Sequence, residues 1–185
     1  MLAAIRPLRI VKDLPGELET LFQAHHGRIF RTAHRITGSP ADAEDVLQTV
    51  FLRLARGTEA YDLSPNPEAY LSRAAINASL DLLRSRNRAR SVGLDDVTSG
   101  ALQSHFQNPE SQHADRELQT LIREAVARLG KTAAEMFVLR YYEGRDNQEI
   151  AKLLGTSAVV VGVVLHRART KLRKEIGQYL EKHRI

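Results

Sequence analysis

The run from Arg145 to Lys174 most narrows what this chain can fold into. Asp146, followed three residues later by Glu149, has the form of an N-cap with its capping-box partner, so a helix is predicted to start there. Ile150, Ala151 and Leu154 fall on one face of that helix. Gly155 stands where a C-terminal stop in the left-handed region belongs, and Ser157 then offers a fresh N-cap. A short helix, a Gly-containing turn and a second helix make the helix-turn-helix pattern, whose second helix lies in the major groove of DNA. Ala151 is small where two such helices cross, and Ile150, Leu154, Val161 and Leu165 fill the wedge between them. A competing reading exists for Ala158 to Leu165, which is β-branched and apolar and taken alone fits a buried strand. The cap before it, the continuation of one apolar face through Ala168 and Leu172, and the lack of a neighbouring partner strand favour the helix.

The remainder of the chain reads as helix as well. Leu18, Leu21, Phe22, Ile29, Phe30, Ala33 and Ile36 recur at helical spacing up to Gly38. Ser39-Pro40-Ala41-Asp42 combines a cap, a first-position Pro and a first-turn acid, and opens a helix carrying Val46, Leu47, Val50, Phe51 and Leu54 inward to about Arg56. Thr58 to Asn66 is predicted as a loop. Asn66-Pro67-Glu68 repeats the device and opens a long helix to about Arg90, with Tyr70, Leu71, Ala74, Ala78 and Leu82 on one stripe. Ser91 to Pro109 is rich in Ser, Gly, Asp, Gln and Asn without periodicity, and reads as a flexible linker. Asn108-Pro109-Glu110 restarts helix, Leu118, Leu121, Ile122, Ala125, Val126 and Leu129 form a stripe, and another helix spans Thr132 to Tyr142. The expectation is an all-α protein of two small helical domains, residues 15–90 and 112–182, joined by a flexible linker over 91–111, with the helix-turn-helix in the second.

Charge adds a direction. The chain carries 27 Lys and Arg against 22 Asp and Glu, a net charge of +5, which suits a polyanionic partner. Arg84, Arg86, Arg88 and Arg90 crowd the end of the long helix, with Arg73 farther back. That is more positive charge than compensating a helix dipole requires, and it points to phosphate contacts. His166-Arg167-Ala168-Arg169-Thr170-Lys171-Leu172-Arg173-Lys174 forms a second basic stretch. Asp42, Glu44, Asp45 and Gln48 lie early on their helix and are placed on its outer side, either as a solvated first turn or as a docking face. The His residues show no metal-ligand spacing, so no metal is expected. No cofactor-binding Gly loop, Cys nucleophile or Gly-x-Ser-x-Gly turn is present, so no catalytic residue, no cofactor and no enzymatic activity are expected. The absence of Cys agrees with a reducing cytoplasm. No apolar run approaches the ~20 residues of a bilayer span, and Met1 to Lys12 lacks the apolar core of a signal peptide, so neither membrane insertion nor export is expected.

Three stretches together resemble a known family. Asp42-Ala43-Glu44-Asp45-Val46-Leu47-Gln48-Thr49-Val50-Phe51-Leu52-Arg53 looks like the polymerase-docking helix of bacterial RNA polymerase sigma factors of the sigma-70 family. Pro67 to Arg84 looks like that family's next region, with its aromatic-Leu pair Tyr70-Leu71 followed by Arg73, Asn77, Asp81 and Arg84. The helix-turn-helix, with Leu165-His166-Arg167-Ala168-Arg169, resembles its final region. Two such modules without an intervening domain match the layout of the extracytoplasmic-function group, also called group four.

The resemblance implies a transcription initiation factor that binds core RNA polymerase, directs it to promoter DNA and helps open it. It assigns polymerase docking to Asp42, Glu44, Asp45, Gln48, Phe51 and Leu52, with Asp45 and Gln48 at the contact. Capture of the separated minus-ten strand falls to Arg73, Asn77, Asp81, Arg84, Arg86 and Arg88, and reading of the minus-thirty-five duplex to Ser157, Ala158, Val159, Gly162, Val163, His166, Arg167 and Arg169. It also implies an anti-sigma partner. The chain departs from the family where Gly162, Val163 and Val164 stand in place of a common mid-helix Lys or Arg, and where Ala55 and Tyr70 replace frequent tryptophans. Valines can touch thymine methyls but cannot make the bidentate contacts with guanine that an Arg makes. Two other readings are compatible with parts of the chain: a helix-turn-helix regulator independent of polymerase, and a sigma-like interaction protein whose last helix pairs with a protein.

Overall fold

The computed structural model describes residues 14–56, 66–91 and 109–182. Among these residues the protein is all-α: α1 (Leu14–Thr37), α2 (Pro40–Arg56), α3 (Pro67–Ser91), α4 (Pro109–Ala127), α5 (Lys131–Tyr141), α6 (Asn147–Leu154) and α7 (Ala158–Lys182). The stretch Ala158 to Leu165 is helix, not strand. Most of the expected loop after Arg56 and residues 92–108 of the expected linker lie outside the described residues.

The predicted boundary residues act as boundaries. Gly38 ends α1 at a φ of 74°, a left-handed conformation that costs a side-chain-bearing residue steric strain. The Ser39 hydroxyl accepts from the Asp42 backbone N–H at 3.3 Å, and the Asn66 side-chain oxygen from that of Ala69 at 3.1 Å. Each satisfies an amide that the first turn of a helix leaves without a partner.

Two apolar clusters form. Ile29, Ala33, Val46, Val50, Phe51 and Leu54 of α1 and α2 close on Leu71, Ala75 and Ala78 of α3. The second cluster gathers Val126, Leu129, Met136, Val138, Leu139, Ile150, Val161, Leu165, Ala168 and Leu172 from α4 to α7 and the turn after α4. Ile36 of α1 and Ile76, Leu80 and Leu83 of α3 also belong to it, so α3 is buried on two sides. A single stripe through Tyr70, Leu71, Ala74, Ala78 and Leu82 therefore understates this helix. Ile76 and Leu80 are completely buried because the second group of helices packs on the side of α3 that α1 and α2 leave open. The two groups are docked together along α3.

Candidate nucleic-acid interface

In the helix-turn-helix the Asp146 carboxylate accepts from the Gln148 and Glu149 amides at 2.8 Å, and the Glu149 carboxylate accepts from the Asp146 amide at 2.8 Å. Gly155 closes α6 at a φ of 64°, its N–H donating to the Ala151 carbonyl. The Ser157 hydroxyl caps α7 by accepting from the Val160 amide at 3.2 Å. The chain turns by 106° between α6 and α7, within the range of DNA-binding helix pairs. Ile150, Ala151, Val161 and Leu165 are buried between them.

The opposite face of α7 is open. Val159, Val160 and Val163 are 76%, 45% and 45% exposed, and His166, Arg167, Arg169 and Thr170 are exposed beyond them. Helical spacing places Val159, Val163, His166 and Thr170 on one stripe, with Val160 and Arg167 beside it. Ala158 and Gly162 are half-buried at the flank, and Gly162 lies against Asn147 of α6. Ser157 is exposed, with its hydroxyl committed to the cap.

On α2, Glu44, Asp45, Gln48 and Leu52 are exposed, with Leu52 at 50%. Two residues expected on the docking face are not there. Asp42 is 3% exposed, its two carboxylate oxygens both accepting from the Arg86 guanidinium; the first turn of α2 abuts the end of α3, and a bidentate pair satisfies the buried carboxylate. Phe51 is 8% exposed and meets the edge of Phe22, ring centroids 5.0 Å apart, in the first core. Phe22 itself remains 37% exposed.

The arginines of α3 are arranged differently from the expected outward cluster. Arg73 donates to Glu135 of α5 at 2.8 Å and to the Leu153 carbonyl at 3.4 Å. Arg84 donates to the Ala127 and Leu129 carbonyls at 3.0 and 3.5 Å and to Asp81 at 3.0 Å. The Ala127 carbonyl ends α4 and the Leu129 carbonyl lies in the turn just after it. The last turn of a helix lacks intrahelical donors for its carbonyls and carries the negative end of the dipole, so a guanidinium is a fitting cap. Arg86 is held by Asp42. Arg88 and Asp81 are exposed, whereas Asn77 is half-buried with a side-chain oxygen that has no hydrogen-bond partner.

Further contacts join the same two groups of helices: Thr32 donates to Glu143 at 2.9 Å, Arg35 to the Tyr142 carbonyl at 3.0 Å, and Arg90 pairs with Glu124. Arg145 lies 3.9 Å from Glu68, which also holds Arg28. Arg123 sits directly over Gly38, where any side chain would collide with its guanidinium. Burial pushes the Tyr142 phenol above the usual tyrosine range, and Arg123 opposes the shift. The acceptors Glu124, Glu135 and Glu143 carried no sequence signal, because nothing local distinguishes them from solvated helix carboxylates.

No group of three or more His, Cys, Asp or Glu side chains that could hold a metal occurs among the described residues, and no single helix there is long and apolar enough to cross a membrane. The α6–α7 pair passes that test only when joined across its sharp turn. Capped helices crossing at this angle, with a solvent-facing second helix and a basic continuation, define a helix-turn-helix protein suited to duplex DNA.

Comparison with known proteins makes this more particular. Residues 21–89 match the family model of Sigma-70 region 2 and residues 119–172 that of Sigma-70, region 4. The RNA polymerase sigma-E factor of Streptomyces coelicolor is 32% identical, over 86% of this chain and 86% of that protein. The ECF RNA polymerase sigma factor SigL of Mycobacterium tuberculosis is 31% identical, over 86% of this chain and 90% of its own. The structure of the sigma factor RpoE in complex with the anti-sigma factor NepR from Bartonella quintana aligns over 90% of this chain and 98% of that chain, at 19% identity and a TM-score of 0.47. The chain belongs to the sigma-70 family, in its extracytoplasmic-function group. It is a transcription initiation factor, of the kind that directs RNA polymerase to promoters.

Proposed function

We propose that the three exposed features divide the work of initiation. The outer face of α2, with Glu44, Asp45, Gln48 and Leu52, docks on core RNA polymerase. An acidic and amide rim beside the exposed apolar side chains Leu52 and Phe22 suits a protein partner. Helix α3, with Arg73, Asn77, Asp81, Arg84 and Arg88, captures the separated minus-ten strand. Arg86 supports this helix through Asp42 rather than meeting DNA directly. Helix α7, led by Val159, Val163, His166, Arg167 and Arg169, takes the minus-thirty-five duplex. The observation that carries the proposal is the helix-turn-helix geometry, with its buried wedge and open outer face. The protein performs no bond chemistry itself, works in the cytoplasm and is held inactive by an anti-sigma factor, a partner that rests on family membership alone.

The docked arrangement adds a requirement. Arg73 and Arg84 can hold a DNA strand only after α4 and α5 leave α3, so Glu135 and the end of α4 compete with nucleic acid for the same guanidinium groups. Initiation on this reading begins with separation of the two groups of helices.

Run-off transcription from fragmented genomic DNA, using bacterial core polymerase with and without this protein, tests the proposal. Discrete new start sites sharing an upstream motif are expected. Binding to core without any new start would transfer the last helix from DNA to a protein partner.

A further inference from the structure

We infer that α7 selects its duplex through methyl groups, with Val159, Val160 and Val163 packing on the C5-methyls of thymines in the major groove. This rests on the reading that α7 enters that groove. The N-terminal part of a recognition helix reaches the base edges. Here that part exposes three valines, 76%, 45% and 45% open, and among positions 158–165 no side chain is charged or carries an amide or hydroxyl. The nearest hydroxyl, on Ser157, is turned back into the helix cap. The first side chains able to address a base edge by hydrogen bonding are His166 and Arg167, one turn farther along.

A valine face pressed on a base edge removes water from the polar groups there and returns no hydrogen bond, which is unfavourable wherever only donors and acceptors are displayed. Thymine alone presents a methyl group in the major groove, so it alone offers the valines an apolar surface to cover. The surroundings select nucleic acid over an apolar protein groove. From Ala158 to Lys174 the helix has no acidic residue, and His166, Arg167, Arg169, Lys171, Arg173 and Lys174 continue its exposed surface. A methyl-reading head followed by a phosphate-binding stem is complementary to a thymine-containing duplex.

The test uses the holoenzyme formed by the full chain and bacterial core polymerase. The upstream element of its strongest promoter is mapped by footprinting and rebuilt with deoxyuridine for thymidine, which removes the methyl group and leaves every base-pairing atom in place. Affinity should fall roughly four-fold for each methyl that a valine covers, as for exposing one buried methyl-sized group. Val163→Ala, a change at an exposed helix position that keeps the fold, should lower affinity for the thymine promoter by a similar factor. It should also abolish the response to uracil at one position while leaving the others intact. Indifference to uracil throughout the element would overturn methyl reading while leaving upstream docking in place. Discrete start sites without any upstream footprint would overturn the docking of α7 as well. Loss of core affinity in Val163→Ala with no uracil response would identify the valine face as a protein contact.

Discussion

On α3, the arginines at 73 and 84 reach across to α5, to the last turn of α6 and to the end of α4, and the one at 86 closes on Asp42, so each guanidinium already has partners within the fold. On α7, Val159, Val160 and Val163 stand in solvent although the rest of the helix has a complete buried face. The helix that looked richest in free charge is therefore the more covered, and the helix that looked like core is the more open. Long guanidinium side chains find acceptors over a wide radius, and the carbonyl end of a neighbouring helix suits them. A valine has only its immediate neighbourhood, and on the outer side of α7 none of the described residues covers it. On the proposed roles of α3 and α7, this cover and this openness let duplex contact precede strand capture, because only the second requires the helices to separate.

The seam between the two groups of helices is open to mutation. Leu80 is completely buried in the cluster shared by α3 and the second group of helices, so Leu80→Ala should destabilise the protein by about 2–5 kcal/mol. Denaturant unfolding followed by probes in each group should show both affected; a change confined to one would mean the seam carries little of the stability. Asp42→Ala leaves the half-exposed Arg86 without its buried carboxylate and should cost about 1–3 kcal/mol. Docking through Asp42 itself would instead show as lost polymerase binding at unchanged stability.

Glu135→Gln removes the charge facing Arg73 and should cost no more than about 1 kcal/mol, since Arg73 is 41% exposed. Its main effect should be functional: greater distance between labels on α2 and α7, and tighter binding of a single-stranded oligonucleotide. Unchanged distance and affinity would show that the Arg73–Glu135 contact does not restrain α3. Asp45→Arg on the open face of α2 should change stability by less than about 0.5 kcal/mol, yet abolish binding to core polymerase. Retained binding would move the docking face off Asp45.

The smallest effect concerns alkaline pH. The Tyr142 phenol is raised by burial, so the folded state holds its proton after the unfolded chain has released it. Stability should be indifferent to this group below about pH 10 and decline above it as the unfolded state deprotonates first. Tyr142→Phe should flatten that part of the decline in thermal unfolding; an identical slope in both proteins would assign it to other groups.

The local elements were legible in the sequence. The Asp146–Glu149 capping box, the Gly155 stop, the Ser39 and Asn66 caps and the wedge residues Ile150, Val161 and Leu165 depend on neighbours a few positions away, and each acts where its chemistry predicts. Capping and helical periodicity are short-range physics, so the chain itself decided that this protein is helical and that α6 and α7 form a helix-turn-helix. Which face of α3 is covered, that Asp42 is buried and Glu135 faces Arg73, and that the valines of α7 remain open are decided over separations such as the 62 positions between Arg73 and Glu135. Glu135 in the sequence is one more helical carboxylate, and Asp42 one more first-turn acid. Only the packing of α5 on α3 gives Glu135 its guanidinium, and only that of α2 on α3 gives Asp42 its own, because burial and pairing belong to the assembled surfaces rather than to any stretch of chain.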